Sequence, residues 1–385
     1  MSSPRTISVT LPEGFASNAN VLALGGELKS SICRIANGKI WISEVMGDLE
    51  QELVYRHFTA QVDAAFSDSS PNLLVIDKHP DYLSSQHGLK LAREHDIPVT
   101  AVQHHYAHIA AVMADNGLPR GAKAVLGFAL DGLGFGDDGT IWGGEILLAD
   151  YHGFRRLACF QPVAMIGGGA ATHEPWRNTL AHLLPVWEQV NRAFADTDIL
   201  QLLNTKPVAM LQTMVDKGLN APLTSSCGRL FDAVAASLGL FREQVSCEAQ
   251  AAIALEKLAA TCFDRVTEPY SYSIDAGDCQ QLNWQPMWLE ILADLQTGSD
   301  PAIIAARFHH TLVYALTELA LKLRETHGFD TVALSGGVFQ NRLIFTQLAQ
   351  ALQGNGLRVL QHRQVPTHDG GLSLGQAIIA LSLFT

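Results

Sequence analysis

The sequence predicts an α/β fold made from one unit used twice, giving two lobes with a cleft between them. Three observations carry that prediction. Three short strands followed by alternating helix and strand occur from about residue 20 and again from about residue 124. A glycine-rich stretch falls between the first two strands of each copy. Where the copies meet, "AVQHHYAHIAAV" (101–112) places three histidines within five positions. At 385 residues the chain exceeds one simple core and suits two lobes of ordinary size.

In the first copy, "VLALGGE" (21–27), "SSICRIANG" (30–38) and "KIWISEVMG" (39–47) read as strands. Asn37-Gly38 supplies the tight hairpin between the second and third, because both residue types tolerate positive φ. A helix follows in "DLEQELVYRHFTAQVDAAF", where Leu49, Leu53, His57 and Val62 sit near helical spacing. Then come a buried-type strand "NLLVID" (72–77), a helix around 83–94 and a strand "IPVTAVQ" (97–103). "HHYAHIAAVMADNG" reads as a helix ended by Asn116-Gly117.

The second copy opens with strands "AVLGFALDG" (124–132), "TIWGGEILLAD" (140–150) and "GFRRLACFQPV" (153–163). After a long, mostly helical stretch come "TVALSGG" (331–337), a helix over 341–353, "LRVLQHR" (357–363) and an apolar helix over 371–383. The expected organisation is a first lobe over 1–121, closed by a C-terminal helix within 366–385, and a second over 122–365 with a helical insertion at about 170–325. This duplicated pattern resembles the actin-like (ASKHA) ATPase superfamily, whose nucleotide lies in the interlobe cleft.

Composition narrows the function classes. The chain is 48% hydrophobic, as a globular protein is. A formal net charge of -12, without a Lys/Arg stripe, argues against a nucleic-acid groove. No apolar stretch reaches roughly 18 residues, so no membrane span is expected, and "MSSPRTISVTLPEGF" has no apolar secretory core. The six cysteines are scattered with no C-x-x-C pair. They read as reduced thiols of a cytoplasmic protein, without a zinc ribbon.

The glycine stretches are "GGELKS" (25–30) and "DGLGFGDDGTIWGGE" (131–145). Glycines let backbone N–H groups approach an anion, which makes both stretches candidate phosphate loops; two plain tight hairpins are the alternative. The flanking acids Asp131 and Glu145 are expected to meet a metal rather than the phosphate. In "LSGGVFQN" (334–341), Gly336 and Gly337 open a helix whose N-terminus favours phosphate or ribose, with Asn341 one turn in.

On a helix, His104 and His108 are i and i+4 and share a face, while His105 points about 100° away. Two imidazoles so spaced can chelate one divalent ion, provided carboxylates join them. Asp131 and Asp369, the latter in "PTHDGGLSLGQA" (366–377), are the candidates. A His2Asp2 set suits iron(II), zinc or manganese better than calcium. The competing reading is a helix-capping pair beside satisfied core histidines. "FHHTL" (308–312) reads as buried helix.

Together, "QHHYAHIAAVMADNG", "ALDGLGFGDDGTIWGGE", "EPWR" (174–177), "SSCGRLFDAVAASLG" (225–239), "LSGGVFQNRL" and "HDGGLSLGQA" resemble the C-terminal transferase domain of the HypF family, the carbamoyltransferases of nickel–iron hydrogenase maturation. The resemblance runs in order from about residue 20 to the end, and more distantly reaches antibiotic O-carbamoyltransferases and tRNA threonylcarbamoyl-transferases. It implies a bilobal fold that binds ATP or carbamoyl-adenylate with a divalent metal, iron or zinc, at the phosphates. By motif, His104, His108 and Asp369 match the metal ligands and Asp131 a further carboxylate. Gly132 and Gly134 match the phosphate loop, Asp232 the ribose-binding acid and Asn341 a nucleotide contact.

The implied reaction passes a carbamoyl group, derived from carbamoyl phosphate, to the C-terminal cysteine of the partner HypE. The thiol therefore comes from the partner, and a homodimer is compatible with it. Arg177 either holds the carbamoyl or phosphate end or pairs with Glu174 at a helix start. Full-length members carry an acylphosphatase-like module, zinc fingers and an adenylate-forming module ahead of this part, and none is visible here. A stand-alone carbamoyl phosphate hydrolase, a small-molecule kinase and a scaffold that only docks HypE are the competing readings.

Overall fold

Two sheets repeat one strand order, and two buried helices lie between them. The computed structural model describes residues 6–15 and 18–383. The first sheet contains β1 (Ile7–Thr10), β2 (Val21–Ala23), β3 (Cys33–Ala36), β4 (Lys39–Ile42), β5 (Leu73–Asp77) and β6 (Val99–Val102), in the order β1-β4-β3-β2-β5-β6. Helices α1 (Glu52–Ser69) and α2 (Leu83–His95) cover its outer face through Phe58, Val62, Leu91 and Ala92. The β3–β4 hairpin turns on Asn37 (φ 51°) and Gly38 (φ 70°), as the pair predicts.

The second sheet contains β7 (Val125–Phe135), β8 (Ile141–Ala149), β9 (Phe154–Phe160), β10 (Ser273–Asp275), β11 (Gln280–Asn283), β12 (Thr331–Ser335) and β13 (Arg358–Leu360). Its order is β10-β11-β9-β8-β7-β12-β13. In both sheets three antiparallel strands form a meander. The first strand of each meander then pairs in parallel with a strand reached through a helix, and that strand with one more. This is the duplicated, actin-like arrangement that the sequence predicts.

Three features were not legible. Strand β1 joins the edge through Ile7 opposite Ile42, and β10–β11 extend the far edge; both are too short to show a period. Strand β7 also continues to Phe135, so Gly132 and Gly134 lie in a strand with a register slip between Leu130 and Gly134. The true turn is 136–140, closed by the Gly136 N–H on the Thr140 carbonyl at 2.9 Å.

The helical layer of the second lobe includes α4 (Trp176–Leu183), α5 (Cys227–Ser237), α6 (Gln250–Ala260), α7 (Pro301–His327) and α8 (Arg342–Gly354). It packs through Leu180, Phe231, Leu255 and Phe308 onto the face of β7 that carries Leu126 and Phe128. Among the described residues, no helix is long and apolar enough to cross a membrane.

Between the sheets, α3 (His104–Asp115) and α9 (Leu372–Ser382) are buried at every residue. Helix α3 follows the first sheet in sequence but packs on β7, β8 and β12 of the second. Helix α9 follows the second sheet and packs on β2, β3, β5 and β6 of the first. Each lobe thus lends a helix to the other, and one apolar core joins them through Val75, Ala110, Ala129 and Ile378. Small residues allow the crossing: a Cβ on Gly375 would lie 1.8 Å from the Ala107 carbonyl oxygen. Backbone cannot yield as a side-chain end can, so Gly375→Ala should cost more than about 3 kcal/mol or prevent folding. A thermal melt unchanged from wild type would contradict this packing.

Candidate metal centre

The crossing of α3 and α9 brings four ligand groups together. Gln103 caps α3, its side-chain oxygen accepting the Tyr106 N–H at 2.8 Å, so the histidines are free of the capping role. His104 and His108 lie one turn apart with ring centroids 5.0 Å from each other. Asp131 stands at the slipped register of β7, and Asp369 begins the turn that opens α9. One ligand atom from each of the four lies within 4.8 Å of the others. The closest approaches are His108 Nε2 to Asp131 Oδ2 at 3.0 Å and to Asp369 Oδ1 at 3.5 Å. His104 Nε2 lies 3.6 Å from Asp131 Oδ2 and 3.8 Å from Asp369 Oδ1.

The fit to a cation rests on unsatisfied atoms. His104 Nε2, His108 Nε2 and Asp131 Oδ2 are buried and close to one another, yet none of them makes a well-directed hydrogen bond. A buried polar atom left unpaired costs about 1–3 kcal/mol, so three facing one point are costly without a ligand. Two imidazole nitrogens and two carboxylates fit iron(II), zinc or manganese.

Each histidine is oriented from behind. Asp77, at the end of β5, accepts from His104 Nδ1 at 2.8 Å and from the His79 N–H at 2.8 Å. His108 Nδ1 lies 3.3 Å from the Ser335 hydroxyl, which meets His362 Nε2 at 2.8 Å. These partners leave both Nε2 atoms facing the carboxylates, the arrangement that tunes metal-binding imidazoles. The charges reinforce it. Burial opposes protonation of His104, yet Asp77, Asp131 and Asp369 raise it well above the usual imidazole value. His108 is raised against the same burial by Asp131 and Asp369. Burial would raise Asp131, but the two imidazoles hold it well below the usual carboxylate range. A metal ion binding here must displace imidazole protons, so its capture releases protons.

The other predicted residues divide. A cleft of about 300 Å³ opens beside Asp131 and is lined by Gly132, Asp232, Gly337 and Asn341. Gly134 and Gly336 do not line it. Gly134 is small because a Cβ would meet the His105 ring at 2.4 Å, and Gly336 adopts φ 107° to pass beneath Leu130. The backbone donors expected to face an anion are partly used already. Asp131 Oδ1 accepts the Gly132 N–H at 2.8 Å and the Gly337 N–H at 3.2 Å.

Asp232 is paired with Arg229 at 2.7 Å. Asn341 caps α8 on the Ile344 N–H at 3.1 Å, and its Nδ2 meets His309 Nε2 at 3.0 Å. His309 is structural, as read from the sequence: it is buried, its Nδ1 sits 2.7 Å from the Ala305 carbonyl, and burial lowers it to about 4.

One expectation requires correction. Glu145 does not reach the four-group site. It lies opposite Ala129, two residues before Asp131 on the neighbouring strand, and is buried against Arg156 Nε at 2.6 Å. Arg177 is not among the residues lining the cleft; its Nε holds Glu174 at 2.9 Å and its guanidinium stacks 4.5 Å over Trp176. The helix-start ion pair is therefore the reading the geometry fits.

The family model described as "Carbamoyltransferase, Kae1-like Domain, second subdomain" matches residues 127–376, and "HypF Kae1-like domain" matches 16–115. The chain is 38% identical to carbamoyltransferase HypF of Rhodobacter capsulatus over 97% of its length and 48% of that protein. It is 36% identical to a carbamoyltransferase HypF homolog of Cupriavidus necator, covering 96% of the chain and 93% of that relative. A full-length HypF solved in phosphate- and nucleotide-bound form superposes with TM-score 0.89 at 33% identity, over 99% of this chain and 48% of that one. HypF of T. kodakarensis gives TM-score 0.82 at 30% identity, over 98% and 50%. The chain thus spans about half the length of most relatives it matches.

Asp77 was missed because nothing local in "NLLVID" marks its carboxylate as a histidine partner. Asp77→Ala should weaken iron(II) or zinc binding about 10- to 100-fold with the fold intact, read by calorimetric titration. Wild-type affinity in that variant would remove Asp77 from the site.

Proposed function

The chain belongs to the HypF carbamoyltransferase family, and we propose that it transfers a carbamoyl group from carbamoyl-adenylate to the C-terminal cysteine thiol of HypE. The carbamoyl donor derives from carbamoyl phosphate and ATP, and the thiocarbamate formed is the precursor of the hydrogenase cyanide ligand. The convergence of His104, His108, Asp131 and Asp369 at the wall of a cleft is the observation that carries this reading. A relative solved with phosphate and nucleotide bound supports placing the adenylate in that cleft.

A divalent ion held by those four groups would supply Lewis acidity to the phosphate that departs. The remaining work falls to the chain's own residues. Asp77 and Ser335 keep the Nε2 atoms of His104 and His108 turned inward. The N–H groups of Gly132 and Gly337 fix Asp131, so its second oxygen faces the histidines. Asp232, anchored by Arg229, stands in the cleft where a ribose hydroxyl would be received.

The acceptor thiolate attacks the carbamoyl carbon, a C–S bond forms, the C–O bond to phosphate breaks, and AMP leaves with the electron pair. The thiol proton passes to solvent. Support for an external thiol comes from this chain's cysteines. Cys33 and Cys227 are buried and pushed far up by that burial. Cys279 is lowered by its contact with Cys159, a feature the sequence did not signal, but it does not line the cleft.

Mass spectrometry of HypE after incubation with the chain and carbamoyl-adenylate tests the reading. One carbamoyl group should appear on the C-terminal cysteine, and His108→Ala should lower the rate at least about 100-fold, the scale of losing a principal electrostatic group. Undiminished transfer by His108→Ala would favour a scaffold, and phosphate release from carbamoyl phosphate without HypE would favour a hydrolase.

A further inference from the structure

We infer that Lys29 is the phosphate-binding cation of the interlobe cleft, held aside by Glu248 until an anionic ligand displaces that carboxylate. This rests on the nucleotide reading of the cleft. Lys29 comes from the glycine-rich loop of the first lobe, and Glu248 from the segment that precedes α6 in the second. Their ammonium and carboxylate are in contact, and both line the cavity of about 300 Å³ that also holds Asp131, Arg229 and Asp232.

Three observations single out this pair. First, the cavity wall bears the carboxylates of Asp131, Asp232, Glu248 and Glu256 against only two cations, Lys29 and Arg229. An adenylate phosphate entering that wall needs a positive partner that is not already committed. Second, the backbone donors at Gly132 and Gly337 are bound to Asp131. Third, the two cations differ in freedom. Arg229 and Asp232 have side chains 10% and 4% exposed at 2.7 Å, a fixed pair whose rupture would strand a buried charge. Lys29 and Glu248 are 29% and 58% exposed, and such solvent-screened pairs contribute little to stability. A phosphate offers the ammonium the same kind of charge-assisted bond, and so weakly held a carboxylate opposes the exchange little.

The loop is built to hold Lys29 in place. Its φ of 47° is left-handed, a conformation that persists in a lysine only where neighbours fix it. The next residue does so: the Ser30 N–H donates to the Gly47 carbonyl at 2.9 Å and the Met46 N–H to the Ser30 carbonyl at 2.8 Å. Ser31 then donates its hydroxyl to the Gly370 carbonyl at 2.9 Å, beside Asp369. Lys29 is thereby tethered to the segment that carries one of the four ligand groups.

Calorimetric titration of the whole chain with AMP and with adenosine tests this. Lys29→Met should weaken AMP binding about tenfold or more (about 1.4 kcal/mol) while leaving adenosine binding and the thermal midpoint unchanged. Glu248→Gln should tighten AMP binding, and that gain should vanish when Lys29→Met is added. AMP binding by Lys29→Met equal to wild type overturns the inference, as does an equal loss of AMP and adenosine, or a Glu248→Gln gain that survives without Lys29. Failure of the wild-type chain to bind either compound would overturn the nucleotide reading as well.

Discussion

The site depends on the backbone contact between α3 and α9 at Ala107 and Gly375. The ligand groups lie on three separate elements, His104 and His108 on α3, Asp131 on β7 and Asp369 just before α9, and no local interaction could hold these elements together. The helix exchange does so. Helix α3 presents both histidines to the second sheet, where Asp131 waits on β7, and the turn that opens α9 presents Asp369. Because each helix is buried along its full length between the sheets, any displacement of one would move both the apolar core and the ligand set. Stability of the lobe interface and geometry of the site are therefore one property.

Electrostatics act on the same few residues. Three buried polar atoms without a well-directed hydrogen bond would be a liability in a protein that bound nothing there. The surrounding carboxylates make the pocket receptive to positive charge, whether carried by protons on the imidazoles or by a metal ion. Glycine serves this arrangement indirectly. The N–H groups of Gly132 and Gly337 are spent on aiming Asp131. Of the two cations that line the cleft, Lys29 and Arg229, Lys29 has the more exposed partner.

Much of this was legible in the sequence where a signal is local. The i,i+4 histidines, the Asp131-Gly132 pair in a buried strand and the Asp369-Gly370-Gly371 helix start each carry their meaning in a few residues. The succession of strands and helices was legible because the same pattern occurs twice. Long-range partners were not. Asp77 meets His104 and Ser335 meets His108 only through sheet register, and Lys29 meets Glu248 only across the cleft. Gly134 resembled a phosphate-loop glycine because a glycine chosen for close packing against a ring looks the same in one dimension. Glu145 resembled a ligand for a similar reason. Its distance from Asp131 is set by the β7–β8 pairing, which places it opposite Ala129.

X-ray absorption spectroscopy of the chain loaded with zinc or iron(II) bears most directly on the cage of two histidines and two aspartates. Two imidazole nitrogens at about 2.0–2.1 Å for zinc, completed by oxygen ligands, are the expected first coordination shell. In His104→Ala and His108→Ala the imidazole signal should fall by half. Sulfur in the first shell, or a wild-type spectrum without imidazole scattering, would contradict it.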